Sequence, residues 1–326
     1  MAHRDTSLPD GAVVDSRLRT ARDVFVDEHK TPRVRIRRST WGYIFIAPWI
    51  LGFLAFSGGP LLASLYLSLT EYDVLSSPRF VGFDNYTYAV SGDPLFWNSL
   101  FRTSYFALFA VPLGLIGSLA LAVLLNQGLR ATSLYRTLFF LPHLTPAVAM
   151  AILWSWLLHP TLGFANTFLG QFGVGSYPWL TNKDTVIPSL VMISLWAGVG
   201  GNTMLIFLAA LQGVPRDLEE AAELDGAGNW GKFRVITLPL ISPVIFFNLI
   251  LGIISSFQVF ALAFVATKGG PSYGSWFLIL HIYNQAFSYF RLGYGAALSW
   301  IFLLILLFLT SIIFITSKRW VYYQGA

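Results

Sequence analysis

The sequence predicts an all-α membrane protein with six transmembrane helices and one short polar helix between the fourth and fifth. Four observations carry that expectation. Charged residues make up 11% of the chain while 55% are hydrophobic, and a soluble domain usually carries roughly 25% charged residues. Mean hydropathy is +0.63. Six stretches free of Asp, Glu, Lys and Arg punctuate the chain, each long enough for the ~20 apolar residues of a span. Between the last residues of the fourth and the first of the fifth, five acids crowd into Asp217–Asp225.

The charge-free stretches lie between Arg38 and Glu71, Arg102 and Arg130, Arg136 and Lys183, Asp184 and Arg216, Arg234 and Lys268, and Arg291 and Lys318. They place spans near 41–69, 104–125, 137–158, 186–211, 242–267 and 295–316. The third stretch has room for two helices by length. Its second half, with His159, Pro160, Asn166, Gln171, Gly173, Gly175 and Pro178, is too polar and broken to span. The first and fifth stretches exceed the minimum, which permits tilt, or a kink at Pro48 or Pro60. The layout is a tail at 1–40, a six-span domain at 41–317 containing the loop 212–240, and a short tail at 318–326. No cleavable leader is expected, because the first apolar run follows a 40-residue basic tail and is too long for a signal segment. The chain has no cysteine, so disulfides and thiol chemistry do not enter.

Basic residues set the expected orientation. With both termini inside, the inner segments hold 16 of the 21 Lys and Arg, and the outer ones hold only Arg79, Arg102, Lys183, Lys268 and Arg291. The positive-inside rule therefore puts both termini in the cytoplasm of a multi-pass protein. Arg33, Arg35, Arg37 and Arg38 read as a tail end near anionic headgroups. Trp41, Tyr43, Trp320, Tyr322 and Tyr323 read as interfacial anchors.

The loop 212–240 follows local helix rules. Pro215 suits a first helical position, and Asp217, Glu219 and Glu220 lie where the helix dipole favours negative charge. Gly226 supplies the left-handed residue past the end. A helix of about 11 residues, about 16 Å long, is too short to hold in water alone and needs something to pack on. Ala221 and Ala222 leave a smooth patch for close approach, and Pro239 and Pro243 mark the return to the membrane.

Glu220-Ala221-Ala222, Asp225-Gly226-Ala227, Phe233, Ile236, Leu238-Pro239 and Pro243 together resemble the EAA loop of binding-protein-dependent ABC importer permeases, most closely the carbohydrate-uptake branch of maltose, lactose and glycerol-phosphate type. Weaker matches extend over most of the chain: Ala47-Pro48 with Pro60, Phe83-Asn85-Tyr86, Tyr135-Arg136 and Gly269-Gly270-Pro271. The resemblance implies the first of two permeases in a bacterial cytoplasmic-membrane importer. It implies that Glu220, Ala221, Ala222, Asp225, Gly226 and Ala227 form a coupling helix seated on a cytoplasmic ATPase subunit. It also implies the partners: a second, similar permease, two ATPase copies and an extracytoplasmic solute-binding protein docking on loops such as 70–103 and 268–294. ATP and magnesium would then bind the ATPase and no cofactor this chain. A nucleic-acid partner is not expected, and neither is enzymatic activity.

Competing motifs are weaker. Gly226, Gly228 and Gly231 spell G-x-G-x-x-G, but a dinucleotide loop starts a helix there whereas this helix ends. His143, His159 and His281 stand singly, without a second metal ligand at helical spacing, and read as packing or interfacial residues. Asn85-Tyr86-Thr87 is a sequon by chance in a bacterial protein. An ion- or proton-coupled carrier stays open as the alternative, although such a carrier keeps a charged site within its spans and these six spans hold none.

Polar groups at mid-membrane depth are costly unless they face a cavity or a partner. Asn202 sits near the middle of span four, and Ser255, Ser256 and Gln258 cluster near the middle of span five, with Gly198 and Gly252 leaving room beside them. Uncharged hydrogen-bonding groups suit a neutral, hydroxyl-rich solute, and the resemblance points to these two helices as well. Asn202, Gly198, Ser256, Gln258 and Gly252 are thus the expected pathway residues for a sugar or sugar-like solute.

Overall fold

A computed structural model of the chain describes residues 37–128 and 130–322. Most of the tail at 1–40, with Arg33 and Arg35, and the last four residues of 318–326 lie outside the described residues. The chain divides into two compact units, Met1–Leu62 and Ala63–Ala326.

In the first unit, α1 (Arg37–Phe53) carries Pro48 in its interior and passes into a π-helical turn, Leu54–Gly58. The second unit opens within α2 (Gly59–Ser68), followed by a two-stranded antiparallel hairpin, β1 (Thr70–Glu71) with β2 (Arg79–Phe80). The organising element is α3 (Phe96–Asn126), 31 residues or about 46 Å. It begins well before the expected residue 104, so Arg102 lies inside a helix and not in a loop, its guanidinium 6.0 Å from the Phe101 ring centre.

Spans three and four are not the continuous helices the charge-free stretches suggest. The third runs Thr132–Leu144 and then Ala147–Leu157, with a 91° bend between. Its halves are α4 (Thr132–Phe140), extended by a 3-10 turn at Leu141–Leu144, and α5 (Ala147–Leu157). Pro142 and Pro146 explain the break, since each removes a backbone donor and the residue before a proline is pushed out of helical geometry. After α6 (Phe164–Gln171), span four is α7 (Val186–Gly198) and α8 (Asn202–Gln212), bent by 50°. The two breaks pack together: a Cβ on Gly200 would stand 1.9 Å from the Phe139 carbonyl oxygen, so only glycine fits.

The chain continues through α9 (Arg216–Leu224), α10 (Leu238–Phe257), α11 (Ala261–Ala266), α12 (Leu278–Tyr283) and α13 (Leu292–Ser317). Among the described residues four helices are long and apolar enough to cross a membrane: Phe45–Ser68, Phe96–Asn126, Asn229–Ala266 and Leu292–Ser317. Counting each bent pair as one span makes six.

Buried apolar side chains gather along α3. Phe106, Ile187, Leu190, Phe277 and Leu280 form one cluster near its start, and Phe96, Leu278, Tyr294, Leu298 and Phe302 a second. A third, with Ala122, Leu125, Met204, Phe207 and Ile241, lies near its end. Leu108, Phe109, Leu113 and Ile116 of α3 and Leu304 and Phe308 of α13 stay exposed. A water-soluble protein does not leave so much apolar surface bare, whereas lipid or another membrane subunit covers it without cost.

The segment 268–294 departs from the expected open loop. Gly274–Leu278 and Leu280–Ile282 are buried, and Lys268, Ser272–Tyr273 and Phe287–Arg291 stand clear. The Leu278 amide donates to Thr103 Oγ1 at 2.9 Å and Phe277 packs on Phe106, fixing this segment to the first turns of α3. Asn85 is equally structural: its Nδ2 donates to the Ser68 and Thr70 carbonyls, both at 2.9 Å.

Candidate functional site

A cavity of about 220 Å³ opens between α3, α7, α8 and α10. Its polar lining is Ser118, Ser194, Thr203, Asn248, Ser255 and Ser256, with no Asp, Glu, Lys, Arg or His. Gly198 and Gly252 are both in the wall. A Cβ on Gly198 would meet open space, whereas one on Gly252 would stand 3.2 Å from Val111. Asn202 and Gln258 are not in the wall. Asn202 opens the second half of the broken span as an exposed residue, and Gln258 is the exposed cap of α10. The break in span four rotates Asn202 away and presents Thr203, the neighbour that sequence reasoning passed over. Asn248 was missed as well: it is buried, one helical turn before Gly252, and its Nδ2 donates to the Val244 carbonyl at 2.8 Å. Ser256 bonds back to the Ile253 carbonyl at 3.0 Å. Both side chains keep acceptor capacity on their oxygens.

The segment around α9 has the opposite character. None of its residues is buried, and Leu224 is 91% exposed. The helix spans nine residues, about 13 Å. Pro215 occupies the N-cap, one position earlier than expected. Its end closes as anticipated: Gly226 has φ +83°, the Ala227 amide donates to the Ala222 carbonyl at 2.9 Å and the Gly226 amide to Glu223 at 3.0 Å. That pair of bonds is the Schellman arrangement. Nothing lies within 4 Å of a Cβ placed on Gly226, so backbone conformation alone demands glycine. Among the described residues one of its acids has an ion-pair partner, since Lys232 pairs with Glu223. Glu220, Ala221, Asp225 and Gly226 are exposed, with Ala222 and Ala227 half-buried.

At the other end of α3 lies a network that the sequence hid. His281 is fully buried, and its Nε2 meets Asp93 Oδ2 at 2.8 Å. Asp93 is buried too and accepts from the Tyr294 hydroxyl at 2.5 Å and, on Oδ1, from the Leu95 amide at 2.8 Å. Trp276 Nε1 donates to His281 Nδ1 at 3.0 Å. An indole N–H can only donate, so Nδ1 is the acceptor and the imidazole is neutral with its proton on Nε2, donated to Asp93. Burial lowers the His281 pKa, and the nearby Asp93 carboxylate only partly opposes it. For Asp93 burial works to raise the pKa, but the hydrogen bonds from Tyr294 and Leu95, with His281, outweigh it and hold the carboxyl below its ordinary value. His281 is therefore half of a buried acid–imidazole pair, not the solitary packing residue its sequence position suggests. Among the described residues no group of three His, Cys, Asp or Glu side chains is arranged to hold a metal ion.

Comparison with known proteins bears on both regions. A family model described as "Binding-protein-dependent transport system inner membrane component" matches residues 89–322. The probable ABC transporter permease protein YesP of Bacillus subtilis is 40% identical over 288 residues, covering 87% of this chain and 92% of that protein. The sn-glycerol-3-phosphate transport system permease protein UgpA of Pectobacterium atrosepticum is 37% identical over 293 residues, covering 88% and 97%. Among solved structures, a chain of a bacterial alginate ABC transporter, in complex with an alginate pentasaccharide-bound periplasmic protein, superposes with a TM-score of 0.77. It covers 87% of this chain and 96% of that one at 22% identity, a likeness of fold.

Proposed function

The chain belongs to the binding-protein-dependent transport system inner membrane components, the permeases of ABC importers, and from that premise we propose that it forms half of a pathway for a sugar or sugar-like solute. The observation that carries the solute class is the wall of the inner cavity, which offers six hydroxyl or amide side chains and no ionisable one. Such a wall exchanges hydrogen bonds with hydroxyl groups and holds no counter-charge for an ion or amino acid. Its 220 Å³ falls short of the ~300–1,000 Å³ of complete ligand sites, in keeping with a second, similar permease supplying the facing wall. The name of a relative described as a probable transport permease for starch degradation products supports the same class.

On this reading six spans cross the inner membrane with both termini in the cytoplasm, and α9 with its glycine-closed end is the coupling helix. Glu220, Ala221, Ala222, Asp225, Gly226 and Ala227 present it to one of two ATPase subunits, which bind the ATP and magnesium. ATP-driven closure of those subunits moves the coupling helix and opens the pathway toward a docked solute-binding protein, and hydrolysis resets it. Docking falls to exposed parts of the outer segments, residues 73–80, 268, 272–273 and 287–291, because 274–278 and 280–282 are buried.

The test is uptake of labelled saccharides by the complex expressed with its neighbouring genes, with an amino-acid mixture as control. Uptake of amino acids but of no saccharide discards the solute class. Single cysteines at the exposed Gly173 and Gly228, reacted with an impermeant reagent on intact cells, check orientation. Reaction at position 228 and not at 173 inverts it.

A further inference from the structure

Beside the β1–β2 hairpin and the start of α13 lies a second cleft of about 730 Å³, more than three times the inner cavity. It is firmly built. The Gly293 amide donates to the Tyr72 carbonyl at 3.1 Å, and the Arg291 amide to Gln285 at 2.9 Å. Its back wall is Tyr294, set edge-on to Tyr88 with ring centres 5.1 Å apart. The Tyr294 hydroxyl is held by Asp93, itself fixed by His281. The buried network thus stands directly behind the cleft and fixes the rings that line it.

The lining chemistry is specific. Tyr88 and Tyr289 leave 42% and 58% of their surface open, and a ring face of this kind packs on the C–H face of a pyranose. Arg79 is engaged by Glu71, and Asp73 accepts the Ser76 amide and hydroxyl at 2.9 and 2.6 Å on one oxygen, leaving the other free. Asn85 spends its amide protons on backbone carbonyls, so its oxygen remains an acceptor. Among the described residues the Arg291 guanidinium has no hydrogen-bond or ion-pair partner. Two acids and two arginines cancel in charge, so no net field selects an ion. Aromatic faces, one free planar donor and separate acceptors match a molecule with hydroxyls that both donate and accept.

We propose that this cleft is an outer vestibule that binds one end of a saccharide before it enters the membrane pathway. The proposal rests on the sugar reading above. The free guanidinium accommodates vicinal hydroxyls or the carboxylate of a uronic acid, and the experiment separates the two.

The assembled transporter in lipid nanodiscs, without its binding protein, is examined by saturation-transfer NMR against maltotriose, xylotriose and trigalacturonate. At least one saccharide should receive saturation. Its signal should fall about five-fold in Tyr289→Ala/Arg291→Ala, whose side chains are exposed and, among the described residues, make no hydrogen bond, ion pair or ring contact. The signal should persist in Ser256→Leu, which alters only the inner cavity. A response to trigalacturonate alone, lost in Arg291→Ala, assigns the vestibule to acidic saccharides. Absence of signal from all three, or equal signal in the double variant, overturns the vestibule. If the complex nevertheless imports a saccharide, the sugar reading survives that loss; if it imports none, both fall together.

Discussion

The two ends of α3 are built on opposite terms. Near Phe96 the chain supplies its own partners: Asp93, His281, Trp276 and Tyr294 exchange hydrogen bonds in the interior, and 274–282 is packed almost throughout. Toward Asn126 lies α9, which has no fully buried residue, leaves Leu224 bare and draws on the rest of the chain chiefly through Lys232. The buried part of the first region finds most of its partners within one polypeptide. The second is a surface shaped for something else. Damage to the first should therefore appear as lost stability, and damage to the second as lost transport by a stable protein.

The largest expected effect tests the self-contained end. Asp93→Ala strands the His281 Nε2–H and the Tyr294 hydroxyl without partners, at roughly 1–3 kcal/mol for each buried group. Thermal unfolding in detergent should occur at clearly lower temperature, and an unchanged midpoint would show that the network is incidental. At the other end, Gly226→Val forces a branched residue into left-handed backbone, a strain on the order of 1 kcal/mol or more. The variant should insert and unfold normally yet lose uptake and ATPase copurification, as should Glu220→Lys, which reverses an exposed charge. Wild-type uptake in both variants would remove the coupling role from α9.

Acidity sharpens the contrast further. The folded-state pKa of His281 lies below its unfolded value of about 6.5, so this residue contributes stability that is present above that pH and is lost as pH falls through it. Asp93, also lowered on folding, adds loss in the same direction in stronger acid. Stability of the wild type should decline from about pH 7 to about pH 5, and His281→Gln should flatten that slope. Equal slopes would mean that other groups govern acid sensitivity.

The smallest effects concern the inner cavity. Ser256→Leu fills a lining position and should slow uptake while basal ATPase activity of the complex persists. Asn202→Leu, outside the wall, should change uptake little, since interhelical hydrogen bonds of such side chains average only about 0.6 kcal/mol. A stronger defect in Asn202→Leu than in Ser256→Leu would place the solute along a different face of span four.

Helix positions were readable from the sequence because charge is excluded from lipid, and the end of α9 was readable because Gly226 obeys a local backbone rule. What escaped depends on neighbours. The breaks in spans three and four were marked by Pro142, Pro146 and the paired glycines Gly200 and Gly201, yet counting uncharged residues cannot tell a bent span from a straight one. Because of that break Thr203 and not Asn202 faces the cavity. The Asp93–His281 pair joins residues 188 positions apart, and no periodicity in either segment announces the other.

The contact between Gly200 and the Phe139 carbonyl also bears on how the protein is made. The half-helices of span four have 13 and 11 residues, about 20 and 17 Å, and neither crosses a hydrocarbon core of about 30 Å. Backbone left open at a break is tolerated in lipid only when protein covers it. At Gly200 and Gly201 span four lies against Phe139 and His143 of span three, so each covers part of the other's break. On that physical ground spans three and four, with the segment that joins them, should take their final shape together.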